Sequence, residues 1–195
     1  MTKTLSSPNR LVWTFADAAR SLAAEAEASD SLNVARQKAA SATVMAVACV
    51  ESFLNVQARL LLLQNSASPH KERLERDLRA KKSLGRKLEE WPLLLFGEAA
   101  DFGQGPAQRF KATLDSRNAL MHFISDTQSL EFEGFVANGL IDTSEFDNLT
   151  ALSGWSALET AEDFIAYLLQ LGGAPAESIP HLLHHWVAKV PRRAA

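Results

Sequence analysis

Three side chains that could bind or react with a ligand lie within six residues, in the segment "FKATLDSRNALMHFISD". Arg117 and Asn118 are followed by His122 in an otherwise apolar run. Arginine carries a permanent forked charge that suits phosphate oxygens, and histidine is the side chain best able to move protons near neutral pH. Side chains of these two types suit proton transfer at a bound phosphate group.

The helix that carries these residues decides whether they can act together. Residues five apart on a continuous helix differ by about 140° in direction, so Arg117 and His122 would not share a face. If a helix instead begins at Asp115 or Ser116, Arg117 falls in its first turn and can fold back toward His122. The free N–H groups of that turn would then favour an anion. A phosphate site formed in this way requires a helix start here.

A second candidate residue lies on a long apolar helix predicted from about Leu32 to Gln64. Glu51 is the one charged residue between positions 39 and 58, so most of this helix must be enclosed by others. An isolated buried carboxylate is costly, and Arg117 is the partner that we expect for Glu51. The alternative is that the two form an ion pair with a purely structural role.

The composition favours a cytoplasmic protein with a single domain over residues 1–195. Cys49 is the one cysteine, so no disulfide can form within the chain, and we expect a buried thiol. The opening "MTKTLSSPNRLVW" lacks the apolar core of a secretion signal. The long apolar helix carries Glu51 and Arg59, which are expensive in lipid, so we expect a core helix and no membrane.

Charge is unevenly distributed although the net charge is only −3. The stretch 71–87 has eight basic residues against three acidic ones, whereas 118–188 has ten acidic residues and no Lys or Arg. The basic stretch is either a solvated helix face or an RNA-binding surface. In the second case the residues that would follow the RNA backbone are Arg79, Lys81, Lys82 and Arg86.

Periodicity and turn signals predict an all-α fold, a helical bundle of about five to six helices. One surface helix is expected across the basic stretch, bent at Gly85, followed by an irregular connection marked by Pro92 and several glycines. A small β-hairpin is possible near 128–146, where Asn138-Gly139 is a turn signal.

The remaining motifs are weaker. In "HLLHHW", His181 and His185 are four apart, a spacing that suits zinc, and His184 lies between them. No cysteine is nearby, and a solvated or interface surface is the alternative, so no metal or other cofactor is assigned. Cys49 has no cationic neighbour in sequence that would activate it as a nucleophile.

"RNALMH" resembles the R-x4-H motif of the HEPN superfamily, helical-bundle proteins of prokaryotic defence and toxin systems and of eukaryotic nucleases. "AVACVESFLNVQARL" is similar to the second helix of such proteins, in which an acidic residue and a following Asn face the motif. The resemblance covers residues 46–60 and 110–124; the rest of the chain matches only in size and helical character.

The resemblance implies metal-independent RNA cleavage by a homodimer in which two motifs meet. Two copies of His122 would transfer protons and Arg117 would bind the phosphate, with Asn118 as a positioning hydrogen bonder and Glu51 as support from the neighbouring helix. It also implies a toxin–antitoxin or phage-defence setting with an antitoxin or operon partner. The alternative is a non-catalytic HEPN-like interaction or regulatory module.

One departure from the family pattern bears on the partner. HEPN toxins paired with nucleotidyltransferase antitoxins often have a Tyr two residues after the motif His, whereas Phe123 and Ile124 follow His122 here. The resemblance therefore does not support a nucleotidyltransferase partner.

Overall fold

The computed structural model describes residues 7–64, 69–122, 128–133, 135–140 and 143–188, with only the backbone described for His122 and for the strand residues. Helices dominate these residues, which confirms the predicted all-α class. Phe123 and Ile124, which follow His122 in place of the family's Tyr pattern, lie outside the described residues.

Two long helices, α1 (Arg10–Glu27) and α2 (Leu32–Gln64), form an antiparallel pair. Lys38 pairs with Glu25 near the connection, and the Cys49 thiol lies 3.5 Å from the Val12 carbonyl oxygen further along. Small residues are buried along α1 and let this helix pack closely into the core: Ala16, Ala19, Ala23 and Ala26.

Helix α2 has the length and hydropathy of a membrane span, but half of its most apolar window is buried by packing within the fold. It contacts α1, α5 and α7, in keeping with the predicted core helix. Phe53 and Leu54 on this helix are fully buried.

The basic stretch forms two helices, so the prediction of one helix bent at Gly85 is wrong. Helix α3 (Lys71–Arg79) ends before Lys81, which has a left-handed φ of 50°, and α4 (Leu84–Phe96) begins after Ser83. The chain turns here because the Lys82 N–H donates to the Asp77 carbonyl oxygen at 3.1 Å, closing the end of α3.

The predicted irregular connection begins later than expected, because Pro92 lies inside α4. The helix ends at Gly97, whose φ of 85° is a left-handed conformation that glycine adopts without a Cβ penalty. The next helix after this connection is α5 (Gly105–His122).

Two short antiparallel strands, β1 (Gln128–Phe132) and β2 (Phe135–Leu140), lie within the segment predicted as a hairpin. The chain reverses between Phe132 and Phe135, so the turn is not at Asn138-Gly139. That dipeptide falls inside β2, where the register shifts by one residue, and glycine is common at such bulges.

The closing helices are α6 (Ser144–Asp147), α7 (Ser153–Leu171) and α8 (Ile179–Val187), with a 3-10 turn at Ala176–Ser178. The described part of the chain thus has eight α-helices, more than the five to six predicted. The additional helices arise because the basic stretch is divided into α3 and α4, and because α6, only four residues long, was not predicted. Helix α7 packs against α1, α2 and α5, and the Phe110 and Phe164 rings stack at 4.7 Å.

Candidate functional site

A cleft of about 580 Å³ lies between the start of α4 and the second half of α5. Arg117 and Asn118 line it together, and Lys111 joins them from two turns earlier on α5. The opposite wall includes Ser83 and Gly85 from the first turn of α4. The fold therefore brings two residues of the "RNALMH" segment to the wall of one cleft.

The helix start required for the predicted phosphate site is not at Asp115 or Ser116. Helix α5 is continuous through both residues, so Arg117 lies near its C-terminal end and the prediction is wrong. Residues 107–114 contain no glycine or proline, so nothing in the sequence interrupts the helix before Asp115. Arg117 and the backbone of His122 therefore differ by about 140° in direction.

The cleft nevertheless contains a helix start, and α4 supplies it. The Ser83 side chain makes no capping hydrogen bond, and the first backbone bond of α4 joins the Lys87 N–H to the Ser83 carbonyl oxygen at 3.0 Å. The amides before Lys87 have no acceptor within the helix. Two of those residues, Leu84 and Gly85, line the cleft.

Charges of both signs lie around the cleft. Lys111 and Arg117 are the cations and Glu89 and Asp115 are the acids. Among the described residues none forms an ion pair with Arg117, whose side chain is half-buried. Its guanidinium therefore keeps its hydrogen-bonding capacity for a ligand, while the two carboxylates offer acceptors nearby.

Glu51 does not pair with Arg117, so this expected contact is wrong. The Glu51 carboxylate accepts a hydrogen bond from the Lys87 ammonium at 2.6 Å. The Lys87 side chain is only 4% exposed and its ammonium lies 5.4 Å from the Trp91 ring centroid. Glu51 therefore balances the buried Lys87 ammonium on α4 and not the Arg117 guanidinium of the motif.

The second polar residue of the HEPN-like block on α2 is Asn55. Its side-chain carbonyl oxygen is buried without a hydrogen-bond partner among the described residues. Asn55 is not part of the cleft wall, and its place one turn after Glu51 follows from the sequence spacing alone.

The four residues predicted to follow RNA have different environments. Lys82 forms ion pairs with Asp77 at 3.0 Å and Glu90 at 2.8 Å, and its side chain is only 14% exposed. Arg79 is exposed and pairs with Glu75 on the same helix. Lys81 in the α3–α4 connection and Arg86 in the first turn of α4 are both exposed. None of the four lines the cleft.

The Lys82 ammonium has a structural role because it stabilises the buried Asp77 carboxylate. Burial raises the pKa of the Asp77 carboxyl, but hydrogen bonds from Lys82 and from the Trp91 ring N–H outweigh this and hold the pKa below its ordinary value. The charged carboxylate is buried, so Lys82 and Trp91 are the groups that stabilise it.

The other candidate chemical groups are not arranged for catalysis in the described part of the chain. Burial raises the pKa of the Cys49 thiol to about 12, so the thiolate is not populated near neutral pH. His181, His184 and His185 are exposed on α8. Residues 7–64, 69–122, 128–133, 135–140 and 143–188 contain no group of three or more His, Cys, Asp or Glu that could hold a metal.

Sequence reasoning missed Phe102, which lines the same cleft as Arg117. It lies in "AADFGQGPAQ", for which the sequence predicts only an irregular connection. The available signal was Asp101 two residues before Gly103, a spacing at which an aspartate side chain can accept from the backbone and order a turn.

No family model matches the chain, and no curated protein or solved structure matches it either. The likeness of residues 46–60 and 110–124 to HEPN proteins therefore stays a prediction from the two motifs.

Proposed function

We propose that the cleft binds the phosphodiester backbone of RNA and that the protein is a metal-independent endoribonuclease of HEPN type. The observation that carries the proposal is that Arg117 and Asn118, the first two residues of "RNALMH", line the same cleft. The first turn of α4 lines this cleft and adds backbone amides that have no acceptor within the helix. A forked guanidinium facing such amides is suited to phosphate oxygens.

The reaction follows from the chemistry of RNA. A base removes the 2′-OH proton, the 2′ oxygen attacks phosphorus, and the bond from phosphorus to the 5′ oxygen breaks as an acid protonates that oxygen. The products are a 2′,3′-cyclic phosphate and a 5′-OH end. Arg117 neutralises the charge that builds on the phosphorane, and His122 is the proton-transfer residue.

A homodimer is part of the proposal because one His122 does not easily supply both the base and the acid. The 140° between Arg117 and His122 on a continuous α5 supports the same arrangement. His122 would act on RNA held between two chains, related by a two-fold axis. Mixing wild-type protein with an equal amount of His122→Ala should then leave about a quarter of the activity, against about half for independent subunits.

Exposed cations near the cleft supply a path for the RNA strand. Lys111 is on the cleft wall, and Lys81 and Arg86 flank the start of α4. Lys82 is left out of this path because its ammonium is already paired. A cytoplasmic toxin–antitoxin or phage-defence setting, with an antitoxin or operon partner, belongs to the proposal by analogy with HEPN proteins.

A second candidate is a regulatory module that binds RNA without cleaving it. It is favoured by the position of the His122 backbone, about 140° around α5 from Arg117, because no histidine is then among the described residues that line the cleft with Arg117. The cleft's balanced charges, two cations and two acids, also suit recognition of a ligand without turnover.

The decisive experiment incubates the purified protein with mixed RNA in EDTA. We expect fragments with 2′,3′-cyclic phosphate ends, and cleavage reduced by about 100-fold or more in Arg117→Ala and in His122→Ala. Arg59→Ala and His181→Ala serve as controls, because both side chains are exposed and lie outside the cleft.

The outcomes separate the two candidates. RNA binding that depends on Arg117 without any fragments would support the non-catalytic module. Wild-type protein that neither cleaves nor binds RNA would overturn both candidates.

A further inference from the structure

We infer that the cleft takes an unpaired nucleotide and stacks its base against Phe102, so that the RNA bound is single-stranded. The inference rests on the proposed RNA-binding function and deepens it. Its basis is that the cleft combines a polar rim with an apolar floor, whereas a phosphate group alone would use only the polar part.

The apolar part of the cleft is built from three helical leucines and one aromatic ring. Leu84 and Leu88 come from α4, Leu114 comes from α5, and Phe102 comes from the loop between the two helices. The leucines are buried while Phe102 is half-buried, so the aromatic ring is the part of the floor that remains accessible. At about 580 Å³ the cleft lies within the range of roughly 300–1,000 Å³ typical of small-molecule sites.

Phe102 is supported from behind by other aromatic rings. Its ring centroid lies 6.2 Å from that of Phe164, with the rings tilted by 47°. Phe164 in turn stacks on Phe110 and lies 6.1 Å from Tyr167. Because these contacts use only part of the Phe102 surface, the ring can stay in place while a base packs on its accessible side.

The backbone around Phe102 is also held in place. The Asp101 N–H donates to the Tyr167 hydroxyl at 3.0 Å, and the Asp101 carboxylate accepts from the Gly103 N–H and from the Gln104 side chain, each at 2.9 Å. The Gly103 hydrogen bond, with that of Gln104, lowers the pKa of the Asp101 carboxyl. A platform that is ordered before binding loses little conformational entropy when a base stacks on it.

The rim provides complementary groups for the rest of a nucleotide. Arg117 and Lys111 suit the phosphate, and Asn118 can donate to or accept from a base edge. Glu89 and Asp115 offer acceptors for an amino group of the base or for the 2′-OH. These acids would repel a bare phosphate, so their presence favours a ligand that carries hydrogen-bond donors as well as negative charge.

A base inside a duplex cannot stack on Phe102, because both of its faces are already covered by its neighbours. Recognition of RNA by aromatic side chains is therefore largely recognition of unpaired bases. The cleft is expected to prefer loops, bulges and single strands over paired stems.

The test measures binding of a short single-stranded RNA whose 2′-O-methyl groups block cleavage. We expect at least tenfold tighter binding of this strand than of the same sequence in a duplex. Phe102→Leu, which keeps an apolar side chain against Phe164, should weaken single-strand binding about tenfold, whereas Phe102→Tyr should not. Phe146→Leu is the matched control, since Phe146 is also half-buried but lines a different cleft.

Two further measurements separate stacking from damage to the fold. A 2-aminopurine base in the strand should lose fluorescence on binding to the wild type and not to Phe102→Leu. A strand that is abasic throughout should bind both proteins equally. Thermal unfolding shows whether Phe102→Leu is folded at the assay temperature, and if it is not, the Phe102→Tyr and 2-aminopurine results decide.

The results distinguish failure of this inference from failure of the proposed function. If Arg117→Ala weakens binding but single and double strands bind the wild type equally and 2-aminopurine is unchanged, the RNA site stands and base stacking is overturned. If Arg117→Ala leaves binding unchanged, or if the wild type binds no RNA, the cleft is not the RNA site and both proposals fail.

Discussion

The buried ammonium of Lys87 determines how Glu51 is used in this protein. A charged group that is almost fully enclosed needs a counter-charge, and Glu51 is the group within hydrogen-bond distance. Its carboxylate is 36% exposed, so the pair lies at the edge of the core. The resemblance assigns Glu51 to the motif, whereas the contacts give it a structural task.

Substitutions at this pair should reveal which task dominates. Glu51→Gln leaves the Lys87 ammonium without a counter-charge and should lower the free energy of unfolding by about 1–3 kcal/mol. Adding Lys87→Met to Glu51→Gln should recover most of that loss, because it removes the buried charge. Urea unfolding of the wild type, the two single variants and the double variant measures the coupling.

An opposite result would restore the role implied by the resemblance. If Glu51→Gln unfolds like the wild type and yet abolishes RNA cleavage, Glu51 acts in the site.

At the scale of elements, the break between α3 and α4 creates the cleft wall. A continuous helix over the basic stretch would place no first-turn amides on the wall of the cleft that Arg117 lines, since amides within a helix are already bonded. Lys81 adopts the left-handed conformation that ends α3, and Lys82 is tied to Asp77 and Glu90. Neighbouring lysines in the sequence therefore have different structural roles.

Substitutions at these two positions should have opposite effects. A left-handed conformation costs a non-glycine residue about 1–2 kcal/mol, and glycine loses about 0.5–1 kcal/mol in chain entropy, so Lys81→Gly should stabilise the fold by about 0.5–1 kcal/mol. Lys82→Ala should destabilise it, because the buried Asp77 carboxylate loses a partner. Chemical unfolding of each variant is the measurement.

The effect of Lys82→Ala should depend on pH in a defined direction. Because the folded pKa of Asp77 lies below its ordinary value of 3.8, the stability that it contributes is present above that pH. This stability is lost as the pH falls through the lower folded value. The difference in the free energy of unfolding between wild type and Lys82→Ala should therefore be largest near neutral pH and become smaller in acid. A difference that does not change with pH would contradict the pairing of Lys82 with the Asp77 carboxylate.

At the scale of the whole molecule, three helices meet at Gly154. A Cβ at this position would lie 2.9 Å from the Ala42 Cβ and 3.2 Å from the Ala23 Cβ. These residues belong to α7, α2 and α1, the helices that form the centre of the core. Their close approach depends on the absence of side-chain atoms at the crossing.

Gly154→Ala is expected to destabilise the protein by about 1–3 kcal/mol through overpacking. For a chain of this size that corresponds to a fall in Tm of about 2–4 °C for each kcal/mol. Gly85→Ala is the control, because a Cβ there would have no neighbour within 4 Å and the residue is helical. Equal unfolding temperatures for the two variants would show that the three helices can move apart without cost.

Much of the fold could be predicted because its signals are local. The apolar run around Cys49 predicts an enclosed helix, and α2 has the bounds expected from it, Leu32–Gln64. Arg117 and Asn118 were recognisable as candidates by their types and spacing. The break at Lys81 could not be predicted in this way, because a lysine in the left-handed conformation has no sequence signal of its own.

Tertiary structure decided which of these residues meet. The local sequence specified the helices through periodicity and turn residues, which depend on neighbours a few positions apart. The partner of Glu51, the helix start that faces Arg117 and the accessibility of Phe102 depend on how helices distant in the chain pack together. Such contacts depend on side-chain shape and charge across the interfaces between helices, which the spacing of residues along one helix does not encode.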